Sequence, residues 1–162
     1  MSVDMFLKID GIPGESTDDK HKNEIDVLSW SWGMQQSGTR QAGPGGGSGK
    51  VSISDMTFSK YVDKATHNII AACASGKHIA EALLTVRKAG GDSQVEYMKI
   101  TMKEIIVSSY NTGGNKDDLD RVVESVTLNF AEVKVDYTEQ TKEGTPGSTV
   151  SAGWNMATNK KV

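Results

Sequence analysis

The stretch "IDVLSWSWGM", Ile25 to Met34, alternates apolar and polar residues, but the alternation changes phase partway along. Ile25 and Val27 carry one parity; Leu28, Trp30, Trp32 and Met34 carry the other, with Ser29 and Ser31 opposite them. Successive side chains of a strand point to opposite faces, so a flat strand cannot bury both apolar sets on one side. A bulge or sharp bend near Val27–Leu28 is therefore expected. The same phase change recurs in "KVSISDMTFSKY", where Val51 and Ile53 give way to Met56 and Phe58. It recurs again in "VESVTLNFAEVKVDY", where Val126, Leu128 and Phe130 give way to Val133, Val135 and Tyr137. Strands that change face midway suit a strongly coiled sheet or a closing barrel.

The other periodic segments agree with this reading. "IAEALLTVRK" is read as burying Ala80, Ala82, Leu84 and Val86 and exposing Glu81, Thr85 and Arg87. The turn "AGGDS" joins it to "QVEYMKITMKEIIVSS" as a long hairpin. One helix interrupts the strands, at about residues 64–76. Asp63 or Thr66 is its candidate N-cap, Ile69, Ala72, Cys73 and Gly76 share a face, and Gly76 is the stop. The expected fold is mainly β: a closed or nearly closed β-barrel of two sheets, with one flanking α-helix and a long Gly-rich extended loop at about 37–50. At 162 residues and without a linker, residues 1–162 are expected to form a single domain. A polar, flexible tail is expected over about 138–162, with a short strand near Trp154.

Bulk properties exclude several function classes. The net charge is −3, there is no lysine or arginine cluster, and the only adjacent lysines are Lys160–Lys161, so nothing concentrates positive charge for nucleic acid. The longest apolar run, Ile69 to Ala74, is six residues, whereas a membrane span needs about 20. No membrane insertion is expected, and the N-terminus lacks the apolar core of a cleaved signal peptide. Cys73 is the single cysteine, which excludes an intrachain disulfide.

"RQAGPGGGSGK" invites comparison with a phosphate-binding loop. Counting back from Gly49–Lys50, the first required glycine is Pro44, the required Ser/Thr is Val51, and a strand-like pattern follows instead of a helix. Nucleotide binding is therefore excluded. Cys73 stands six residues after His67 and five before His78, spacings that do not stack on one helical face, and it reads as a packing residue. His21, in "DDKHK", reads as solvent-facing, and Asp117, Asp118 and Asp120 as a solvated loop without calcium-loop order. No catalytic residue, cofactor site or metal site emerges. What remains is surface: Ser29, Ser31, Ser52, Ser54, Thr57 and Ser59 give the solvent-side strand positions a small, hydroxyl-rich character. Either a plain exposed sheet or a polar face toward a cavity or partner accounts for them.

The stretches "IDVLSWSWGMQQSG", "SGKVSISDMTFSKYVDKATHNIIAACASGKHI", "LTVRKAGGDSQVEYMKITMKEIIVSS" and "ESVTLNFAEVKVDY", with the closing "GWNM", resemble the haemolysin-coregulated protein (Hcp) family. The resemblance runs in order from residue 3 to residue 156. It implies a non-enzymatic subunit of the type VI secretion tube: a head-to-tail homo-hexameric ring, stacked rings, a spike protein at the tip and a surrounding sheath. It also implies effector proteins in the ring lumen and secretion from the cytoplasm without a cleaved signal, with no C-terminal toxin domain.

Under this resemblance Gly43, Pro44, Gly45, Gly46, Gly47, Ser48, Gly49 and Lys50 form a loop that meets neighbouring subunits or rings. Ser31 is expected to face the lumen and its effectors, and Trp30 and Trp32 to lie in the core or at a subunit seam. Two readings of other classes stand beside it: a monomeric small-ligand-binding β-barrel, and a thiol enzyme using Cys73.

Overall fold

The computed structural model describes residues 3–37, 49–88, 94–117 and 121–162. The strands are β1 (Val3–Ile9), β2 (Ile25–Asp26), β3 (Ser29–Ser31), β4 (Met34–Gln35), β5 (Ser52–Ile53) and β6 (Met56–Tyr61), followed by β7 (Ile79–Lys88), β8 (Glu96–Gly113), β9 (Val123–Gln140), β10 (Pro146–Asn155) and β11 (Lys160–Lys161). Helix α1 (Thr66–Ser75) lies between β6 and β7 and packs against β8. A nine-stranded sheet runs in the order β11-β10-β9-β8-β7-β1-β2, with β6 joining β3 to β9. The second sheet is the two-stranded arm β4-β5. The architecture is mainly β, with two sheets and one short helix, as the alternation implied.

The phase change at Val27–Leu28 is where the barrel is stitched. Before it, β2 pairs with β1, Leu7 opposite Ile25; after it, β3 pairs with β6, Trp30 opposite Phe58. The Val27 amide donates to the Met5 carbonyl at 3.0 Å, and the next amide, Leu28, donates to the Ser59 carbonyl at 2.8 Å. Consecutive amides thus bond to opposite flanks. No single ladder closes the sheet; the bent segment completes the circuit in its place.

Ile25 and Val27 enter the core, while Leu28 takes the bend and is 42% exposed. Met34, expected on the buried face with Leu28, is also exposed, because by then the chain has left the barrel for the arm. The phase change in "KVSISDMTFSKY" divides arm strand β5 from barrel strand β6, and Met56 and Phe58 are buried. In β9 the change occurs within a continuous strand: Val126, Leu128 and Phe130 are buried, and then Val133. The Ala131 carbonyl between them accepts the Met156 amide at 2.7 Å. Glu104, skipped between the Lys103–Glu132 and Ile105–Phe130 pairs, adopts a left-handed φ of 56°, a local twist that an extended residue does not supply.

Helix α1 is shorter than the expected 64–76. It ends at Gly76, whose φ of 65° is left-handed, as the C-terminal stop requires. Its N-cap is Ala65, whose own side chain makes no cap bond. Asp63 Oδ1 instead accepts the Ala65 amide at 2.8 Å, and Thr66 Oγ1 accepts the Asp63 amide at 3.1 Å. Ile69 and Ala72 are buried, and half-buried Cys73 packs beside the core.

Three expectations are corrected. Segment 138–162 carries the end of β9, all of β10 and β11, rather than one short strand; Thr149 to Asn155 pair with Thr138 to Glu132. Its polar composition hid a strand that rests on a neighbour and buries little. On β7, Ala80 is exposed while Thr85 and Arg87 are 1% and 2% exposed. His21 is likewise buried. One cause explains the buried Arg87 and His21: residues 13–24 fold over the outer side of β1 and β7, where His21 stacks on Phe6 and Asp18 binds Arg87.

Candidate interaction surfaces

On the outward face of the barrel, small polar residues line up across strands. Ser31 sits opposite Thr57, Thr57 opposite Thr127, and Thr127 opposite Ser109. The neighbouring row runs Ser29, Ser59, Ser125, Asn111. Directly opposed residues project to the same side, so β3, β6, β9 and β8 present one surface of hydroxyls and an amide. The Ser29 and Ser59 hydroxyls bond at 2.5 Å, and those of Thr57 and Thr127 at 3.3 Å. At the rim, Asp55 accepts from the Ser108 hydroxyl at 2.8 Å and from the Asn129 amide at 2.9 Å. Between these rims the rows carry no charge.

Ser31 is exposed in its row. Of the other hydroxyl residues singled out in sequence, Ser52 lies in the arm. The Ser54 hydroxyl accepts the Gly33 amide at 2.8 Å and ties the base of the arm.

Trp30 and Trp32 alternate with these serines and are half-buried against the core. Trp32 meets Phe130 edge-on, ring centroids 6.5 Å apart and planes at 68°. Trp32 also opens an apolar groove of about 520 Å³ with Met34, Val51, Val133, Val135 and Trp154. The groove lies between the arm and the β9–β10 edge, a feature that alternation alone could not reveal because its walls come from distant segments.

At the arm's outer end Gly49 approaches Ser37 so closely that a Cβ there would lie 2.1 Å from the Ser37 hydroxyl oxygen. A side chain at this position would require the Ser37 hydroxyl to rotate away. Gly49 and Lys50 are exposed; Gly43, Pro44, Gly45, Gly46, Gly47 and Ser48 lie outside the described residues, as do Asp118 and Asp120. Lys50 leads into strand β5.

Two polar clusters beneath the surface escaped the sequence reading. Arg87, with its guanidinium 4.9 Å from the Phe6 ring, pairs with Asp4 at 3.0 Å and with Asp18. The Arg87 hydrogen bond outweighs burial and holds the Asp18 carboxyl at about 2. In the other cluster, Lys60 pairs with Glu124 and, at 2.8 Å, with Asp63. The Thr66 and Tyr110 hydroxyls donate to the same Glu124 carboxylate at 2.8 and 2.5 Å. Burial alone would raise Glu124; bonds from Lys60, Tyr110 and Thr66 outweigh it and keep the carboxyl below its ordinary value. Burial, aided by the neighbouring Glu124, pushes Tyr110 up to about 12.

The two clusters bind helix and covering segment to the barrel, although the buried Arg87 Nε makes no hydrogen bond among the described residues. His67 and His78 are exposed while Cys73 is half-buried, so the structure does not assemble them into one site. Among the described residues no group of His, Cys, Asp and Glu could hold a metal ion, and no helix is long and apolar enough to cross a membrane.

Comparison with known proteins agrees with this geometry. Residues 6–137 match the family described as "Type VI secretion system effector, Hcp". The chain is 56% identical over 160 residues to Protein hcp1 of Pseudomonas aeruginosa, covering 98% of each. It superposes on the crystal structure of Hcp1 from Salmonella typhimurium with a TM-score of 0.84 at 44% identity, covering 100% of both chains. A structure titled "Structure of a type six secretion system protein" gives a TM-score of 0.93 at 31% identity, covering 99% of this chain and 100% of that one. The chain belongs to the Hcp family of type VI secretion, a family of structural, secreted proteins and not of enzymes.

Proposed function

We propose that this chain is a subunit of the type VI secretion tube. Copies associate head-to-tail into a hexameric ring, rings stack behind a spike protein and within a sheath, and effector proteins are held in the lumen until delivery. The protein leaves the cytoplasm with the tube and without a cleaved signal. The observation that carries this reading is the pair of uncharged polar rows from Ser31 to Ser109 and from Ser29 to Asn111. Individual hydrogen bonds to such groups contribute roughly 0.5–1.5 kcal/mol each, which suits cargo that must be held and then released.

A head-to-tail ring needs two different patches on each copy. The Trp32–Trp154 groove is one candidate, and the opposed, exposed Tyr137–Val150 pair on β9 and β10 is another. Residues 43–50 are assigned to contact between rings, with residues 1–162 acting as a single domain.

Light scattering with negative-stain imaging tests the ring. The expected result is a doughnut-shaped particle of six times the 17.4 kDa subunit mass. A stable monomer at high concentration would overturn it and favour a monomeric small-ligand-binding barrel, for which the 520 Å³ groove is the favouring observation.

A further inference from the structure

The covering segment 13–24 is pinned by a histidine held between two acids. His21 Nδ1 lies 2.8 Å from Glu24 Oε2, and its Nε2 lies 2.6 Å from Glu96 Oε1 on β8. The ring stacks on Phe6 of β1, centroids 4.4 Å apart and planes 9° from parallel. A neutral imidazole has one N–H and one lone pair, whereas the imidazolium donates from both nitrogens. With a carboxylate at each nitrogen, only the imidazolium makes both bonds. Once the proton leaves, one carboxylate oxygen faces a lone pair in a half-buried setting, where such repulsion is poorly screened.

We propose that residues 13–24 form a proton-dependent flap, clasped over β1 and β7 while His21 is doubly protonated and loosened when it is not.

The charged groups around the ring fit a clasp that strengthens in acid. Glu24 and Asp18 come from the flap itself, as do the exposed Lys20 and Lys22. From β8 come Glu96 and Lys99, 3.3 Å apart. From β1 and β7 come Asp4 and Arg87, which bind each other, with Arg87 also binding Asp18. Burial would raise the Glu96 carboxyl, but hydrogen bonds from His21 and Lys99 outweigh it and hold it below its ordinary value. Glu96 therefore keeps its charge to lower pH than it would without His21 and Lys99. On the alkaline side the clasp fails with the loss of one proton.

Beyond the histidine, the flap is held from outside by Arg87 on Asp18 and by the Lys64 amide, which donates to Glu15 Oε1 at 2.9 Å. Within it the Gly14 and Ser16 amides donate to the Asn23 and Glu24 carbonyls at 2.8 and 3.0 Å, and the Asn23 amide donates to the Ser16 carbonyl at 2.8 Å. Those amides report the clasp.

Hydrogen exchange of the full chain, corrected for intrinsic rates, tests the proposal at pH about 5.5 and about 8.5, the span over which imidazoles titrate. Protection at Gly14, Ser16 and Asn23 is expected to fall about tenfold at the higher pH, the equivalent of one charge-assisted bond. His21→Gln should show the loosened level at both values. Glu96→Gln, whose amide can donate to the ring lone pair, should stay protected at both. His67→Gln and His78→Gln should retain the wild-type dependence. Equal protection of the wild type at both pH values would overturn the flap, as would an unchanged pH dependence in Glu96→Gln.

Discussion

Lys60 and Glu124 oppose each other across the β6–β9 ladder, and neither side chain has any solvent exposure. All but one of the pair's other contacts lead beyond β6 and β9. Lys60 also reaches Asp63 and the Tyr61 carbonyl, while Glu124 accepts from Thr66 at the start of α1 and from Tyr110 of β8. The pair therefore ties strand, helix and neighbouring strand at one point inside the barrel.

Removing one member leaves an uncompensated buried charge, which costs about 3–5 kcal/mol. Lys60→Met and Glu124→Met are each expected to lower the unfolding free energy by that amount. The double variant, with both charges gone, should recover much of the loss. Tyr110→Phe removes one hydrogen bond to a charged group and should cost about 1.5–3 kcal/mol. Chemical denaturation of the four proteins under one buffer measures all of this. A double variant no better than the worse single one would show that the pair is held by shape and not by charge.

Asp18 gives a prediction in acid. Its folded-state carboxyl titrates at about 2, against an ordinary 3.8, because Arg87 binds the ionised form. A carboxyl depressed on folding stabilises fully above its ordinary value and loses that contribution as pH falls through the folded value. The midpoint gap between wild type and Asp18→Asn should therefore be constant above pH about 5 and shrink toward pH about 2. Thermal melts at intervals across that range test it. A gap that stayed constant down to pH about 2 would place the effect in packing alone.

Gly14 anchors the covering segment through close approach. A Cβ there would stand 2.4 Å from the Glu24 carbonyl oxygen and 2.8 Å from Ile25 Cα, both backbone atoms that cannot swing aside. Gly14→Ala should destabilise the protein by about 1–3 kcal/mol, as overpacking does. Gly33→Ala, whose nearest neighbour is the Ser54 hydroxyl oxygen at 3.7 Å, should be tolerated. Comparing the two melts separates crowding from the general effect of adding a methyl group.

What could be read from the sequence, and what could not, follows the range of the interactions. The Val27–Leu28 bend was legible because a phase change of side-chain parity is a local signal with one geometric solution. The stop at Gly76 was legible for the same reason. Arg87 and Thr85 were assigned to solvent because alternation on β7 says which residues share a face, not what covers that face. Asp18 lies 69 residues from Arg87, and Glu124 lies 64 from Lys60. His21 was misjudged through its charged neighbours, although the acid that buries one side of it, Glu96, is 75 residues away. The two polar rows were half visible: the serines stood out one by one, while their alignment depends on register across β3, β6, β9 and β8.

Ser31 tests the proposed lumen. It is exposed, its row partner is Thr57, and no hydrogen bond within the protein depends on it among those described. Ser31→Gln should leave the melting midpoint nearly unchanged, within about 0.5 kcal/mol, as surface substitutions do. It should nevertheless weaken retention of effectors in a pull-down, because the longer amide enters the space that the small hydroxyls leave free. Ser31→Thr, which keeps the hydroxyl, should retain most of the cargo. Since the rows carry no charge, retention should also change little between about 0.05 and 0.5 M salt, where surface ion pairs are increasingly screened. Light scattering on each variant confirms that the ring mass is intact. Retention of every effector unchanged in Ser31→Gln, with rings intact, would move the lumen to another face.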